Sequence, residues 1–188
     1  MKKLIMNSIF KKELDVIHKR YEMELKRKIN LIEKNAQDEI IGVKKSSEIS
    51  KRIFSLFKNA EIIGIEENKH EEVYVFKTYN QSFLTIHLCS KSYQAINGLP
   101  RIMAVVDTNT NHLKILDVQT EDLDIGNGSI LMKYLVETVG KMKVSRITGD
   151  LSSVDMNHFS RSEHYYKKFG FNVKFDDSRT SGTIELKI

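Results

Sequence analysis

The hydrophobic period of the chain changes near residue 60, and this change limits the folds that the sequence can adopt. Residues 2–45 contain no proline and only one glycine, Gly42, and apolar residues recur there at every third or fourth position. That spacing is typical of an amphipathic helix. After residue 60 the apolar runs become β-branched and aromatic with a period near two, which indicates strands. We therefore expect an α/β protein in which a long N-terminal helical extension precedes a sheet.

The apolar positions of the N-terminal third form one stripe, made of Phe10, Leu14, Ile17, Tyr21, Leu25, Ile29, Ile32 and Ala36. Its spacing is close to a heptad repeat. The stripe therefore predicts either a helix that breaks near Asn35 or a coiled coil with a partner chain, as in a homodimer. A second amphipathic run, 46–59, begins with a serine cap signal and predicts a new helix. We expect a basic helical extension over 1–45 and a folded domain over 46–188.

The net charge of +5 is concentrated in this N-terminal part. Residues 1–60 carry 15 Lys or Arg against 8 Asp or Glu, a net charge of +7, and the remainder carries −2. A basic helix can bind nucleic acid or an anionic membrane surface, but a basic solvated face is the more common arrangement. Basic and aromatic residues do not alternate as base stacking would require. Neither a nucleic acid nor a membrane is expected as a partner.

The cysteine and histidine contents limit the chemistry that is available. Cys89 is the only cysteine, which excludes an internal disulfide and fits a reducing, cytoplasmic location. Without a second thiol, and with six histidines that lack metal-ligand spacing, no metal site is expected. The sequence contains no run of 18 or more apolar residues, so no membrane span is expected. Charged residues from Lys11 onward end the first apolar run too early for a signal peptide.

The runs after residue 60 follow a mixed α/β order. Five closely spaced strand-like runs predict an antiparallel meander, and they read EIIGI, EVYVFKTY, SFLTIHLCS, RIMAVVD and HLKILDVQ. An amphipathic helix, a strand, a second helix and two strands follow; they read NGSILMKYLVETVGKMK, VSRITGDLS, FSRSEHYYKKFG, FNVKF and TIELKI. This order predicts a mixed, mostly antiparallel sheet flanked by helices.

Two glycines, Gly126 and Gly128, stand at the start of the first of these helices. A helix N-terminus presents free backbone N–H groups and a partial positive charge, and glycines let a phosphate approach them. No lysine follows Gly128, as a Walker A loop would require, and Leu131 occupies the place of the third glycine of a dinucleotide fingerprint. From the glycines alone, a phosphate site and a ligand-free turn remain equally open.

Two longer stretches, one on each side of the strand VSRITGDLS, match motifs of known proteins. In LDVQTEDLDIGNGSILMKYLVE the matching residues are Leu116, Val118, Gly126, Gly128 and Leu131, and the stretch resembles motif A of one enzyme family, the GCN5-related N-acetyltransferases. SRSEHYYKKFGF resembles motif B, with Ser162, Tyr166, Lys168, Gly170 and Phe171 on motif positions. The resemblance covers roughly residues 60–188 and implies the fold of the family. The chain departs from the pattern at Leu123, where the family has a Gln or Arg that helps to shape the pyrophosphate loop.

The resemblance implies that the chain moves an acetyl group from acetyl-CoA to a primary amine, of a small molecule or a protein, by direct attack. The cofactor-binding residues that it implies are Leu116, Asp117, Val118, Leu123, Asp124, Ile125, Gly126, Asn127, Gly128, Ser129, Asn157, Ser162 and Tyr166. It places Tyr166 as the general acid for the departing thiolate. Asp117 and Glu121 are candidate general bases. His87 is a weaker candidate, since it lies among apolar strand residues.

Two alternatives to an enzyme of this kind remain open. The first is a non-catalytic sensor or adaptor that has the same fold and binds acyl-CoA, which the departure at Leu123 favours. The second is docking of the basic N-terminal helix onto nucleic acid or a partner chain, with the C-terminal domain as a modifier. Binding of acetyl-CoA and release of its free thiol would distinguish the three hypotheses.

Overall fold

The computed structural model describes the backbone of every residue except Met1, Gln94, Glu121 and Leu123, and the side chains of residues 1–13 and 15 are not described. The chain divides into two compact units, Met1–Glu48 and Ile49–Ile188. The division predicted from the sequence lies between residues 45 and 46 and stays a prediction.

Three α-helices and eight strands make up the described structure. The helices are α1 (Lys2–Leu56), α2 (Asn127–Gly140) and α3 (Phe159–Lys168). The strands are β1 (Ala60–Glu67), β2 (Glu72–Asn80), β3 (Phe83–Cys89), β4 (Arg101–Asp107), β5 (His112–Gln119), β6 (Arg146–Leu151), β7 (Asn172–Phe175) and β8 (Gly182–Lys187). Two short 3₁₀ turns lie at Ile96–Gly98 and Ser153–His158.

The N-terminal helix continues past the position at which a new helix was predicted. A break near Asn35 was one of two alternatives and a new helix was expected from residue 46, yet α1 is continuous from Lys2 to Leu56. The serine signal is overridden because good helix formers stand on both sides of it, and Gly42 costs the helix only about 1 kcal/mol relative to alanine. No helix in the described part of the chain is both long and apolar enough to cross a membrane.

All eight strands form one sheet, in the order β1-β2-β3-β4-β5-β6-β8-β7. The first five strands pair antiparallel in sequence order, so the predicted meander is confirmed. β5 and β6 are parallel, with α2 between them in the chain, and β6, β8 and β7 pair antiparallel. The predicted mixed, mostly antiparallel sheet flanked by helices is therefore confirmed.

Apolar side chains cover both faces of the sheet, because alternate residues of each strand point to opposite sides. One face packs against α2 and α3 through fully buried residues such as Ile86, Leu131 and Leu135. The other face packs against the last turns of α1 through Ile49 and Ile53, which are 1% and 0% exposed. The middle of the sheet is thus closed on both sides.

Candidate functional site

The sheet opens between β5 and β6. These two strands pair in parallel only from His112 to Ile115 on β5, and the last pair joins Ile115 to Gly149. Beyond that point β6 continues to pair with β8 as far as Leu151. Within the described structure no strand pairs with residues 116–119 of β5 on that side. The carboxyl ends of the two parallel strands therefore diverge, and one backbone edge of β5 faces the opening.

A β-bulge in β5 lies at the point where the opening begins. Met103 of β4 pairs with Asp117, but the next residue, Ala104, pairs with Ile115, so Leu116 is left without a partner on β4. Leu116 is 51% exposed. Bulges bend a strand and re-aim its side chains, and they are common beside active sites. Because the bulge bends β5 at this point, it contributes to the divergence of β5 from β6.

The loop between β5 and α2 brings a helix N-terminus to the same opening. Gly126 is the N-cap of α2 and has no side-chain cap, and the first helical bond runs from the Ile130 N–H to the Gly126 carbonyl over 3.1 Å. The N–H groups of Asn127, Gly128 and Ser129 thus have no partner within the helix. Gly126 has φ 101°, and a Cβ built on it would have nothing within 4 Å. The left-handed backbone of Gly126 and the open space beside it would allow an anion to reach these N–H groups.

The second glycine of the loop has a different role. A Cβ at Gly128 would lie 3.3 Å from the ring of Tyr165 on α3. The Tyr165 hydroxyl donates a hydrogen bond of 2.7 Å to the Gly128 carbonyl oxygen. Gly128 therefore permits α3 to pack against the start of α2, which the glycine spacing in the sequence did not indicate.

The Asn127 side chain is held inside the protein. It is 1% exposed and exchanges hydrogen bonds with Asn68, at 3.0 Å, and with the Tyr93 hydroxyl, at 2.8 Å. Only the backbone N–H of Asn127 is left for a ligand. Its neighbours Asp124 and Ile125 are exposed and half-buried in the loop, and Asp124 also has a left-handed backbone, with φ 61°.

Tyr166 lies on α3 as a buried residue. It is 8% exposed and makes edge-to-face contacts with Tyr165 and Phe171. Burial raises the pKa of Tyr166 to about 12, and the negative charges of Asp117 and Asp155 contribute to the same shift. The phenol is therefore protonated at neutral pH, and the Asp117 carboxylate is close enough to act on it electrostatically.

The other predicted site residues differ in how they are placed. Asp117 is half-buried and accepts a hydrogen bond of 2.6 Å from the Gln119 side chain. Val118 is half-buried and packs against the core. Ser162 is half-buried on α3, one turn before Tyr166. Asn157 is exposed on its 3₁₀ turn. The predictions at Glu121 and Leu123 lie outside the described residues.

Lys168 was placed on motif B but was not predicted as a site residue. Its ammonium group donates a hydrogen bond of 3.1 Å to the Ser129 hydroxyl in the first turn of α2. A cation therefore stands beside the free N–H groups of the helix start. The two residues are 39 positions apart, so no local sequence signal indicates the contact.

His87 is a packing residue on the α1 side of the sheet. It is 5% exposed, stacks on Phe76 with ring centroids 4.7 Å apart, and contacts Phe57. Burial lowers the pKa of His87 to about 4, and the positive charge of Arg101 adds to the shift. Its Nδ1 atom is buried without a hydrogen-bond partner. Among the described residues, no group of three or more His, Cys, Asp or Glu side chains could hold a metal ion.

Comparisons with known proteins give relatives of low identity. No family model matches the chain. The uncharacterized protein YocC of Bacillus subtilis (strain 168) is 28% identical over 130 residues, which are 69% of this chain and 78% of that protein.

The solved structures that resemble the chain include acetyltransferases. A Bacillus subtilis acetyltransferase in complex with CoA has a TM-score of 0.45 and 12% identity, over 57% of this chain and 78% of that one. The GNAT domain of S. lividans PAT has a TM-score of 0.45 and 8% identity, over 59% and 65%. Nourseothricin acetyltransferase has a TM-score of 0.41 and 14% identity, over 68% and 85%. At these identities the similarity concerns the fold alone.

The environment of His87 predicts a pH dependence of stability. The pKa of His87 is about 4 in the folded protein and about 6.5 in the unfolded chain, so between these values the unfolded chain binds a proton that the folded protein does not. The free energy of unfolding should therefore fall as the pH decreases through this window, by on the order of 3 kcal/mol from this residue.

Urea denaturation between pH 7 and pH 4 measures this loss. The His87→Gln variant should lose less stability than the wild type over the window, while the exposed His164→Gln control should follow the wild type. Equal losses in the wild type and His87→Gln would contradict the burial of a neutral His87.

Proposed function

We propose that the chain is an acetyl-CoA-dependent N-acyltransferase of the GCN5-related family that acts in the cytoplasm. One juxtaposition carries the proposal: the unpaired backbone edge of β5 lies beside the uncapped N-terminus of α2. An extended acyl-pantetheine arm and a pyrophosphate need these two features, joined end to end. The motif resemblance at Gly126 and Tyr166 supports the same assignment.

The residues at the opening fit the two parts of such a donor. The pyrophosphate matches the N–H groups of Asn127, Gly128 and Ser129, and the open space in front of Gly126 leaves room for it. The Lys168 ammonium group adds a positive charge at the same helix turn. The pantetheine arm matches the free backbone edge at 116–118, where it would pair as an added strand.

The donor, when bound, supplies a thioester whose carbonyl carbon accepts an amine. The backbone N–H near Val118 would stabilise the negative charge that develops on the carbonyl oxygen. Asp117 or Glu121 would take the proton that the amine loses as its C–N bond forms. Tyr166 would donate a hydrogen bond to the sulfur as the C–S bond breaks, and the thiolate would take its proton from solvent after it leaves. The chain otherwise has to position two reactants.

A non-catalytic acyl-CoA sensor is the second candidate, and the burial of Tyr166 favours it. A side chain that is only 8% exposed reaches a sulfur atom only if the donor enters the opening deeply. Both candidates require saturable binding of acetyl-CoA. They differ in the release of free thiol, which only an enzyme produces when amines are supplied.

Binding at the start of α2 can be tested with one added charge. The Ser129→Asp variant places a carboxylate beside the proposed pyrophosphate position and opposes the charge of Lys168, so CoA affinity should fall about tenfold or more. Thr138→Asp adds the same charge near the other end of α2 and should leave the affinity within about twofold of the wild type. Isothermal calorimetry measures both.

Failure of the wild type to bind CoA in this experiment would overturn both candidate functions. Equal effects of the two substitutions would show that CoA binds elsewhere on the molecule.

The role of Tyr166 can be tested separately from binding. Tyr166→Phe removes the hydroxyl and retains the ring contacts, so CoA affinity should stay within about twofold and kcat should fall on the order of 10²-fold. The control, Tyr134→Phe, removes a phenol whose hydroxyl contacts Glu66, and should retain kcat. Thiol release with a panel of primary amines measures the rate.

An unchanged kcat in Tyr166→Phe would remove Tyr166 from the mechanism. CoA binding by the wild type without thiol release on any amine would instead support the sensor.

The stripe on α1 supports a further proposal, that two copies of the chain pair through this helix. The stripe continues along α1 to Ile40 and Val43, and the side chain of its first member, Phe10, is not described. Apart from the small Ala36, its other side chains are 46–68% exposed, and they are Leu14, Ile17, Tyr21, Leu25, Ile29, Ile32, Ile40 and Val43. From Leu14 to Val43, with Ala36 included, eight steps span 29 residues, a mean of 3.6. This is the period of a straight helix, not the 3.5 of a heptad coiled coil. Two such stripes could pack side by side without strong supercoiling.

One pair of neighbouring substitutions tests this pairing. Ile29→Glu places a charge in the middle of the stripe and should give a particle with the mass of one chain in light scattering. Asn30→Glu introduces the same residue beside the stripe and should retain the mass of two chains, as should the wild type. A wild type with the mass of a single chain would contradict the proposal, and so would an Ile29→Glu variant that retains the mass of two chains.

A further inference from the structure

Four polar side chains from distant parts of the sequence meet at the loop before α2. The Asn68 amide donates to the Asn127 side-chain oxygen over 3.0 Å, and the Asn127 amide donates to the Tyr93 hydroxyl over 2.8 Å. The Tyr93 hydroxyl donates in turn to the Asp122 carboxylate over 2.8 Å. Asn68, Tyr93 and Asn127 are 8%, 7% and 1% exposed. We call these four residues the relay.

The direction of the relay is fixed at both ends. At one end the Asn68 side-chain oxygen accepts the backbone N–H groups of His70, at 2.9 Å, and Glu71, at 2.8 Å. The Asn68 amide nitrogen must therefore face Asn127, and each following group accepts one bond and donates the next. At the other end the Asp122 carboxylate can only accept. Burial, followed by the bond to Asp122, raises the pKa of Tyr93 to about 12, so the hydroxyl keeps its proton.

The relay holds the phosphate-facing loop at its two ends. Asp122 precedes and Asn127 follows the segment that contains Gly126. A further bond fixes the middle of the loop, because the Lys69 N–H donates to the Ile125 carbonyl over 3.0 Å. Ile125 also packs against the buried cluster that contains Tyr93. Buried polar groups are costly when unpaired, so loss of one member penalises the whole set.

We propose that the relay is the positioning device of the pyrophosphate loop, with Asn68 and Tyr93 as positioning residues that do not touch the ligand. This inference rests on the proposed function and deepens it. The relay sets the backbone from Asp124 to Asn127 so that the N–H groups at the start of α2 face the opening before the donor binds. In this chain it serves the purpose that a Gln or Arg at position 123 serves in the family that the sequence resembles.

The test separates loop positioning from general stability by changing the length of the ligand. Tyr93→Phe retains the ring and removes the middle of the relay. It should weaken CoA binding about tenfold or more and leave pantetheine, which ends before the pyrophosphate, within about twofold. Tyr74→Phe is the control, because Tyr74 is 2% exposed in the same apolar cluster as Tyr93 but is not part of the relay. Calorimetry measures each affinity.

A second variant and a second measurement keep the test independent of CoA. Asn68→Ala removes the far end of the relay and should reproduce the effect of Tyr93→Phe. In both variants, the amide hydrogens of Lys69 and Ile130, which bond to the loop carbonyls of Ile125 and Gly126, should exchange at least about tenfold faster. Tyr74→Phe should match the wild type. If the wild type binds no CoA, the proposed function fails, and hydrogen exchange still decides the role of the relay.

Two results would overturn the inference. One is unchanged exchange of the Lys69 and Ile130 amides in both Tyr93→Phe and Asn68→Ala. The other is a loss of affinity that is equal for CoA and for pantetheine, because a general loss of stability does not depend on the pyrophosphate.

Discussion

The early end of the β5–β6 pairing is the constraint on which the rest of the site depends. Parallel strands need a crossover connection, so α2 has to start beyond the carboxyl end of β5. At the last pair, a Cβ on Gly149 would lie 3.4 Å from the Ile115 carbonyl and 3.0 Å from the Ile184 side chain. Strand β6 is thus held closely by both neighbours up to this point, and after it only β8 stays paired. The opening and the helix start therefore lie at one edge of the sheet.

Local features of the fold could be predicted from the sequence, because they leave a periodic signal. Each strand run after residue 60 is present, and the glycine at 126 marks a left-handed backbone position. The continuity of α1 could not be predicted, because the serine pair at 46–47 is a start signal only where the preceding helix has ended. The relay could not be predicted either, since Asn68 and Asn127 are 59 residues apart. Contacts between polar side chains that are so far apart in the sequence depend on how the strands and helices are arranged, and a local sequence pattern does not report this.

The two glycines illustrate how one motif can contain two different causes. Gly126 is needed because the backbone there has a left-handed φ that other residues rarely adopt, and the space in front of it is open. Gly128 has ordinary helical surroundings and is small because the Tyr165 ring lies against it. The motif therefore couples a phosphate-facing turn to the docking of α3, which carries Tyr166. The packing of α3 and the shape of the loop before α2 depend on each other, because the Tyr165 hydroxyl donates a hydrogen bond to the Gly128 carbonyl oxygen.

The pKa of Tyr166 decides what kind of acid this residue can be. A thiol has a pKa near 8.5, whereas burial raises the pKa of Tyr166 to about 12. Complete transfer of the phenol proton to a thiolate would therefore be uphill by about 5 kcal/mol. The negative charges of Asp117 and Asp155 also raise the pKa of Tyr166, because they oppose formation of a phenolate. Tyr166 is thus better suited to stabilise the leaving sulfur by a strong hydrogen bond, and the thiolate can take its proton from solvent after it leaves the site.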